Sequence, residues 1–544
     1  MHFDPMPRPD YGDQPAGGPE ALSFYLQQGA GIWSIAATVL PLDLPGPRRM
    51  LEIGCGFGFG LDVARRMRGW EVQGFDPSPL AAAGAAQLGL PIANRYFTAE
   101  QGEIGAYDVV LCSEVIEHLF RPVEILRLLR SALRPGGVLV LTTPNAGAIT
   151  PEMTPGILVP LLSVGFHTVI HTAASLAQAL RAAGFAHVSV EDRGPSLLAH
   201  ASDAGTPWRA PNEADRAAYR AYLEAAAVPA AGDLRLGLLL RAYRDCVAAG
   251  DRQAADRLGV LLDAEVAGRF GQPPESLQIR GPSGGPVGGP VSLEVLVHEQ
   301  PLSLGPLLYA RAMHQRLGGA GAGQVHALLG RAAAACDRLR GALARIGSDD
   351  GDAEDVAWVA RAEQLLAAAE AGLPVPHGAL DLLGPAPGDA AQSRERSALL
   401  RRRYFVTLVN AGRLDAARDL RDVVAAAETR AGQGAALDDE EIDSLFTGAV
   451  LATNDPPGDP ETGLRLARRV REAVLRRLAV QPGARSAGLA WPAATLEYGL
   501  LQRLGRSAEL KAFRYVTLPA LRANAALPPG PSLGGFATRE DTRP

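Results

Sequence analysis

The chain runs to 544 residues, 47% apolar and 21% charged; this is too long for one ordinary core and too apolar for a disordered polymer, so two to four domains are expected. A net charge of −6 excludes the basic footprint of a nucleic-acid binder or of a protein drawn to anionic membrane.

In chain order, Met1-His2-Phe3-Asp4-Pro5-Met6 lacks the basic-then-apolar layout of a secretory leader. Residues 1–20 are rich in Pro, Gly and Asp and are expected to be loose. Ala21–Leu40 reads as a mostly helical apolar stretch, placed to lie against the first strand. From Met50 strand and helix patterns alternate. Met50–Ile53 reads as a strand, Leu61–Met67 as a helix, Glu71–Phe75 as a strand and Pro79–Leu88 as a helix. Tyr96–Thr98 reads as a weak strand, Val109–Cys112 as the next, Pro122–Leu133 as a helix and Val138–Thr142 as a strand. Ser175–Ala183 is a helix stopped by Gly184, and His187–Glu191 and Ser196–His200 supply the last strands. Repeated units of this length imply a doubly wound, mainly parallel sheet covered on both faces.

The most apolar stretch, Ile157–Ile170, contains Pro160 and His167 and falls short of a membrane span. Cys55, Cys112, Cys246 and Cys336 are scattered, with no Cys-x-x-Cys pair, so reduced thiols in a soluble cytoplasmic protein are expected. Beyond about residue 205 the strand signal fades into Ala/Leu/Arg-rich helical periodicity, broken by Pro/Gly segments at 272–290, 347–352, 373–389 and 456–462. Tyr243, Tyr404 and Tyr498 precede Gly250, Gly412 and Gly505, and Leu258, Leu420 and Phe513 follow them. That is the layout of a helix–turn–helix hairpin, compatible with irregular tetratricopeptide-like repeats or with a helical bundle. The expected division is a helical hairpin region at 206–270, a Gly/Pro linker at 271–292, a helical domain at 293–526 and a flexible tail at 527–544.

The glycines carry the chemistry. Residues 48–60 read Arg-Arg-Met-Leu-Glu-Ile-Gly-Cys-Gly-Phe-Gly-Phe-Gly. A strand ending in this way lets a ligand approach bare backbone. A dinucleotide-binding Gly-x-Gly-x-x-Gly would need glycine at 59 or 61, where Phe59 and Leu61 stand. The register is instead Glu52-x-Gly54-x-Gly56-x-Gly58, followed by Gly74-Phe75-Asp76-Pro77, by Tyr107 to Glu114, and by Leu133-Arg134-Pro135-Gly136-Gly137 before a strand. This ordered set resembles the class I S-adenosylmethionine (SAM)-dependent methyltransferases, over about residues 50–200.

The resemblance implies a Rossmann-like seven-stranded sheet over 21–205, with the last strand antiparallel and reached through a hairpin at Asp192-Arg193-Gly194-Pro195. It implies SAM as cofactor, with Glu52, Gly54, Cys55, Gly56, Gly58, Asp76, Glu100 and Ser113 around it. SAM carries no phosphate but an ammonium, a carboxylate and a sulfonium, so a carboxylate at Glu52 suits it better than a pyrophosphate. Asp76 would take both ribose hydroxyls on its two oxygens. Thr98-Ala99-Glu100 stands where the family often has Asp-Ala-Glu, and Glu100 is the candidate adenine or ribose partner. Cys112 reads as a small buried residue.

Methyl transfer from a sulfonium is largely a matter of positioning, but a hydroxyl or amine acceptor must still lose a proton. The candidate base is His118, in Ser113-Glu114-Val115-Ile116-Glu117-His118-Leu119. The same segment can also serve as cleft architecture. If helical, it would point Glu114, Glu117 and His118 one way as metal ligands; the segment resembles the Glu-x-x-Glu-His of metal-dependent methyltransferases, which implies a further downstream ligand, His167 or His171. No metal is assigned. Ala146–Thr172 reads as an insertion that, with 21–40, forms the acceptor lid; Met153, Ile157, Leu158, Leu161 and Phe166 suggest an uncharged or partly apolar acceptor. The expected function is methyl transfer to an O or N atom of a small-molecule, sugar or lipid-linked acceptor. The alternative is an interaction protein whose helical C-terminal region binds partners.

Overall fold

The computed structural model describes residues 19–28, 32–98, 104–205, 208–279, 291–376, 378–454 and 458–529. Contacts gather them into two units. One holds the described residues up to Ala320 together with Ala327–Arg361 and Ala386–Ser393; the other holds Gly321–His326, Ala362–Pro385 and the described residues from Arg394 onward.

The first unit opens with helices α1 (Pro19–Gln28) and α2 (Ile32–Val39), then alternates β1 (Arg49–Ile53), α3 (Phe59–Arg68), β2 (Glu71–Phe75), α4 (Pro79–Leu88), β3 (Ile92–Ala93) and β4 (Tyr107–Ser113). It continues with α5 (Pro122–Ala132), β5 (Leu133–Pro144), α6 (Pro155–Leu162), α7 (Ala173–Ala182), β6 (His187–Arg193) and β7 (Ser196–Ser202). The seven strands pair in the order β3-β2-β1-β4-β5-β7-β6. All neighbours are parallel except β7, which is antiparallel to both β5 and β6. The central strands are apolar runs rather than alternating ones because helices cover both faces. Leu51, Val110, Leu139 and Leu141 of the sheet pack with Leu126 and Leu129 of α5 and Leu176 and Leu180 of α7.

The third strand departs from expectation. It forms at Ile92–Ala93, paired with Gly74 and Phe75, and not at Tyr96–Thr98. Asn94 ends it by donating to the carbonyls of Asp76 and Ser78. Phe97 then spends its apolar surface edge-on against the Phe75 ring, centroids 5.1 Å apart, instead of on a ladder.

The helices after the sheet include α8 (Glu213–Ala227), α9 (Gly232–Ala248), α10 (Arg252–Phe270), α11 (Leu293–Glu299), α12 (Leu304–Leu317), α13 (Ala322–Ala344) and α14 (Gly351–Glu370). The compact units do not divide at residue 205, because α8 to α12 group with the sheet. Tyr222 of α8 is buried and donates to the equally buried Asp62 of α3 at 3.1 Å. The expected loose terminus, linker and tail lie largely outside the described residues.

The stretch expected to lie on the first strand has other partners. α2 packs on α3, and α1 packs on α9. Ser23 and Gln27 both donate to Asp233, each at 2.6 Å, and Arg241 donates to the Gln28 carbonyl. The helices meet closely because position 237 is glycine: a Cβ there would stand 2.0 Å from the Leu26 carbonyl oxygen. Gly237→Ala is therefore expected to destabilise the first unit by about 1–3 kcal/mol, read as a lowered denaturation midpoint with faster amide exchange in α1.

The second unit contains most of α16 (Ala390–Asn410), preceded by the short α15 (Ala379–Leu382), and then α17 (Leu414–Arg418), α18 (Asp422–Gly432), α19 (Asp439–Asn454), α20 (Pro460–Val480), α21 (Ala490–Arg503) and α22 (Ser507–Ala512). The aligned tyrosines and glycines mark real turns. Gly250, Gly412 and Gly505 take φ of 72°, 71° and 67°. The next residue in each case donates back to the carbonyl five before it: Asp251 to Cys246, Arg413 to Leu408 and Arg506 to Leu501. Only a residue without Cβ adopts that left-handed cap cheaply. Tyr243, Tyr404 and Tyr498 are buried, as are Leu258, Leu420 and Phe513, and the Tyr498 and Phe513 rings meet with centroids 5.8 Å apart.

Candidate active site

The turn between β1 and α3 is left-handed at Gly54, Gly56 and Gly58, and a Cβ at Gly54 would lie 2.2 Å from the Val115 side chain. Asp76, at the end of β2, braces this turn: one carboxylate oxygen accepts the Gly56 N–H at 2.8 Å and the other accepts the Ser78 N–H at 2.7 Å. Beside them opens a cavity of about 430 Å³, walled by Gly54, Asp76, Phe97, Glu114, His118 and Phe166 among others.

The expected site residues divide. Gly54, Asp76 and His118 line the cavity, as do Glu114 and His167. Glu52 does not; it lies buried beneath the turn, against Gly60 and the Leu61 amide of α3, and its Oε2 has no hydrogen-bond partner. Burial, with Asp76 adding to it, pushes its carboxyl up to about 8 despite the Leu61 amide. The Cys55 side chain packs towards Gly74, and Gly58 faces Leu90 and Ile92, so both turn from the cavity into the core. Ser113 is occupied by Thr142, with 2.7 Å between hydroxyls. Glu100 lies outside the described residues. All four cysteines are free and buried.

The segment after β4 is not an α-helical turn. Glu114 is left-handed at φ 53°, and only Ile116–His118 makes a short 3₁₀ turn. Glu114, Glu117 and His118 therefore do not form the single helical face that i, i+3, i+4 spacing predicts. The grouping that does form is Glu117, His118 and His167, whose ligand atoms all lie within 4.8 Å of one another. Glu117 is fully buried; Oε2 accepts the Thr143 hydroxyl at 2.9 Å, while Oε1 has no hydrogen-bond partner. The Nε2 atoms of His118 and His167 stand 3.8 Å and 4.0 Å from that Oε1. Their Nδ1 atoms face the carbonyls of Phe166 at 3.1 Å and Leu161 at 2.8 Å, and a carbonyl only accepts, so Nδ1 carries the proton in both neutral rings. Burial lowers His118, and burial with the neighbouring His118 lowers His167 to about 4. Burial and Glu114 together hold the Glu117 carboxyl well above the usual range. His171 stands apart, its Nδ1 3.3 Å from the Ser175 hydroxyl.

The insertion after β5 also differs from expectation. Met153, Leu161 and Ile170, with Ile157 and Leu158, close a small core of their own. Val164 to Thr168 alone reach the cavity. The Thr168 and Val169 amides donate to the Glu117 carbonyl at 2.7 Å and 3.1 Å, tying that stretch to the acidic–histidine turn. Its other end is held from α14: Thr154 donates to the Glu354 carboxylate at 2.6 Å, which also accepts from Arg340. Tyr25 of α1 went unrecognised from sequence, since no spacing ties it to the glycine turn. A Cβ at Gly56 would lie 3.5 Å from its hydroxyl.

Residues 32–190 match the family model described as a methyltransferase domain. That part of the chain is a methyltransferase domain of the class I type, as its strand order also shows. The chain is similar to the ubiquinone biosynthesis O-methyltransferase of Caulobacter sp. (strain K31), with 41% identity over 104 residues, 18% of this chain and 41% of the relative. It is similar to the enzyme of the same name from Pseudomonas aeruginosa (strain LESB58), with 40% identity over 105 residues, 18% of this chain and 45% of the relative. The chain thus spans less than half the length of these curated relatives. Among solved structures, an S-adenosylmethionine-dependent methyltransferase from Mesorhizobium loti is 22% identical, with 32% of this chain and 99% of that one covered and a TM-score of 0.26. Among the described residues no helix is long and apolar enough to cross a membrane.

Proposed function

We propose that this chain is a SAM-dependent methyltransferase acting on an O or N atom of a small, partly apolar acceptor. The observation that carries the reading is Asp76: its carboxylate braces the glycine turn through the Gly56 amide and borders the same cavity as His118. The residues fit the group. Each Asp76 oxygen keeps a lone pair beyond its backbone bond for a ribose hydroxyl. Gly54 presents bare backbone, and Phe75 and Phe97 offer an aromatic wall. When bound, SAM would supply a methyl group on a sulfonium: the acceptor's lone pair would form the new bond to carbon, and the sulfur would keep the electron pair of the bond that breaks. The chain's part is to hold the acceptor in line, exclude water and take its proton. His118 suits the last task, because burial keeps the ring neutral and its Nε2 bears the lone pair. Leu119, Phe120, Ile125 and Phe166 line the cavity and favour an acceptor with an apolar face. The names of the relatives are consistent with a hydroxyl acceptor.

A second reading is favoured by the convergence of Glu117, His118 and His167 around the unpartnered Glu117 oxygen. These three would hold a divalent cation that orients the acceptor oxygen. The two readings exclude each other at His118 Nε2, which cannot both ligate and accept a proton. Calorimetry is expected to show micromolar binding of SAM and of its demethylated product and none of NAD. A tritiated-methyl assay against cell extract is expected to label an acceptor. Activity that survives a chelator leaves His118 as base; activity lost to chelator and restored by a divalent cation assigns it as ligand. NAD binding in place of SAM would sink the proposal.

A further inference from the structure

The glycine turn has a second wall that the methyltransferase match does not include. Tyr25 lies on α1, before the matched segment begins at residue 32. Its ring stacks near-parallel to that of Phe59, centroids 6.2 Å apart with 16° between planes, and its hydroxyl reaches the face of Gly56. The Phe59 ring and the Phe57 backbone meet it from the sheet domain, and α1 itself has an anchor outside that domain. The anchor is α9, through Asp233 to Ser23 and Gln27, through Arg241 to the Gln28 carbonyl, and through the close seat of Gly237 on Leu26. Gln27 is fixed from a second side, because its Oε1 accepts the Leu302 N–H at 2.7 Å. A polar tip is therefore set rigidly over the turn by helices outside the catalytic fold.

The chemistry of that tip is one-sided. Burial of the ring, with the acidic side chains of Glu52 and Asp76 adding to it, holds Tyr25 as the neutral phenol, well above its ordinary range. The Phe57 backbone amide faces its oxygen. As a neutral phenol the hydroxyl carries a proton to donate, so it suits an acceptor. Of the groups at the amino-acid end of the cofactor, the ammonium only donates and the carboxylate only accepts. Arg241, buried behind α1, adds positive potential on the same side.

We infer that Tyr25, held over Gly56 by α9, donates its hydroxyl proton in a hydrogen bond to the carboxylate of the cofactor's amino-acid end. The inference rests on the SAM reading above. Tyr25 is thus a binding residue, and Asp233, Gly237 and Arg241 are positioning residues that act through it. The helices after the sheet complete the cofactor site in this account, instead of merely following it.

Titration calorimetry of the full chain and of Tyr25→Phe tests this with four probes: SAM, S-adenosylhomocysteine, decarboxylated SAM and methylthioadenosine. The variant is expected to bind the first two about 10-fold more weakly, the loss of one hydrogen bond to a charged group. Decarboxylated SAM and methylthioadenosine, which lack the carboxylate, are expected to bind both proteins equally. An equal loss across all four probes, or no loss for any, would overturn the assignment while leaving the cofactor reading intact. Failure of the unaltered protein to bind SAM or S-adenosylhomocysteine would overturn both. An unchanged melting temperature without ligand checks that Tyr25→Phe is folded.

Discussion

Asp76→Ala is expected to weaken SAM binding by about 5- to 150-fold, from the roughly 1–3 kcal/mol of hydrogen bonds to a charged group. Two losses combine in that figure. The ribose hydroxyls lose their acceptors, and the Gly56 and Ser78 amides lose the carboxylate that holds the turn in shape. The two separate when S-adenosylhomocysteine is compared with its 2′-deoxy analogue by calorimetry. Direct contact predicts that Asp76→Ala costs the hydroxylated ligand more, whereas a bracing role predicts equal losses. Unchanged affinity for both would refute a ribose role for Asp76.

The second large effect concerns Glu52 and the pH dependence of stability. Its carboxyl is held near 8 in the folded protein, against 4.5 for an ordinary glutamate. A group whose pKa rises on folding contributes stability that is fully present below the unfolded value and is lost as pH climbs through the folded one. The unaltered protein without ligand should therefore lose stability relative to Glu52→Gln as pH rises from about 4.5 to 8, with the difference level beyond that. The ceiling is about 5 kcal/mol, from the linkage of pKa to free energy, and solvent penetration would reduce it. Denaturation midpoints of the two proteins at several pH values provide the check. A difference that stays flat across that window would show that the buried carboxyl is not protonated as argued.

Much of the sheet was legible because its signals are local. Glu71–Phe75 and Pro79–Leu88 fall at the predicted residues, since apolar runs bounded by Gly and Pro report directly on backbone conformation. The third strand was misread because Phe97 looks like a strand residue, yet only ring packing against Phe75 shows where its surface goes. The hairpin glycines were readable for the opposite reason: a left-handed cap is a property of one residue and its immediate neighbours.

The acidic–histidine turn shows where local reading stops. Spacing alone placed Glu114, Glu117 and His118 together, but the left-handed Glu114 breaks the turn and His167 arrives instead, 50 residues along the chain. The glycine register and the aspartate after the second strand were determined by sequence, because backbone freedom and strand ends are written in adjacent residues. The choice of His167 over His171, the burial of Glu52, and the arrival of Tyr25 from α1 were decided only by tertiary structure. Each depends on the distance between segments far apart in the chain, and that distance is set by how helices seat on one another, which no local pattern encodes.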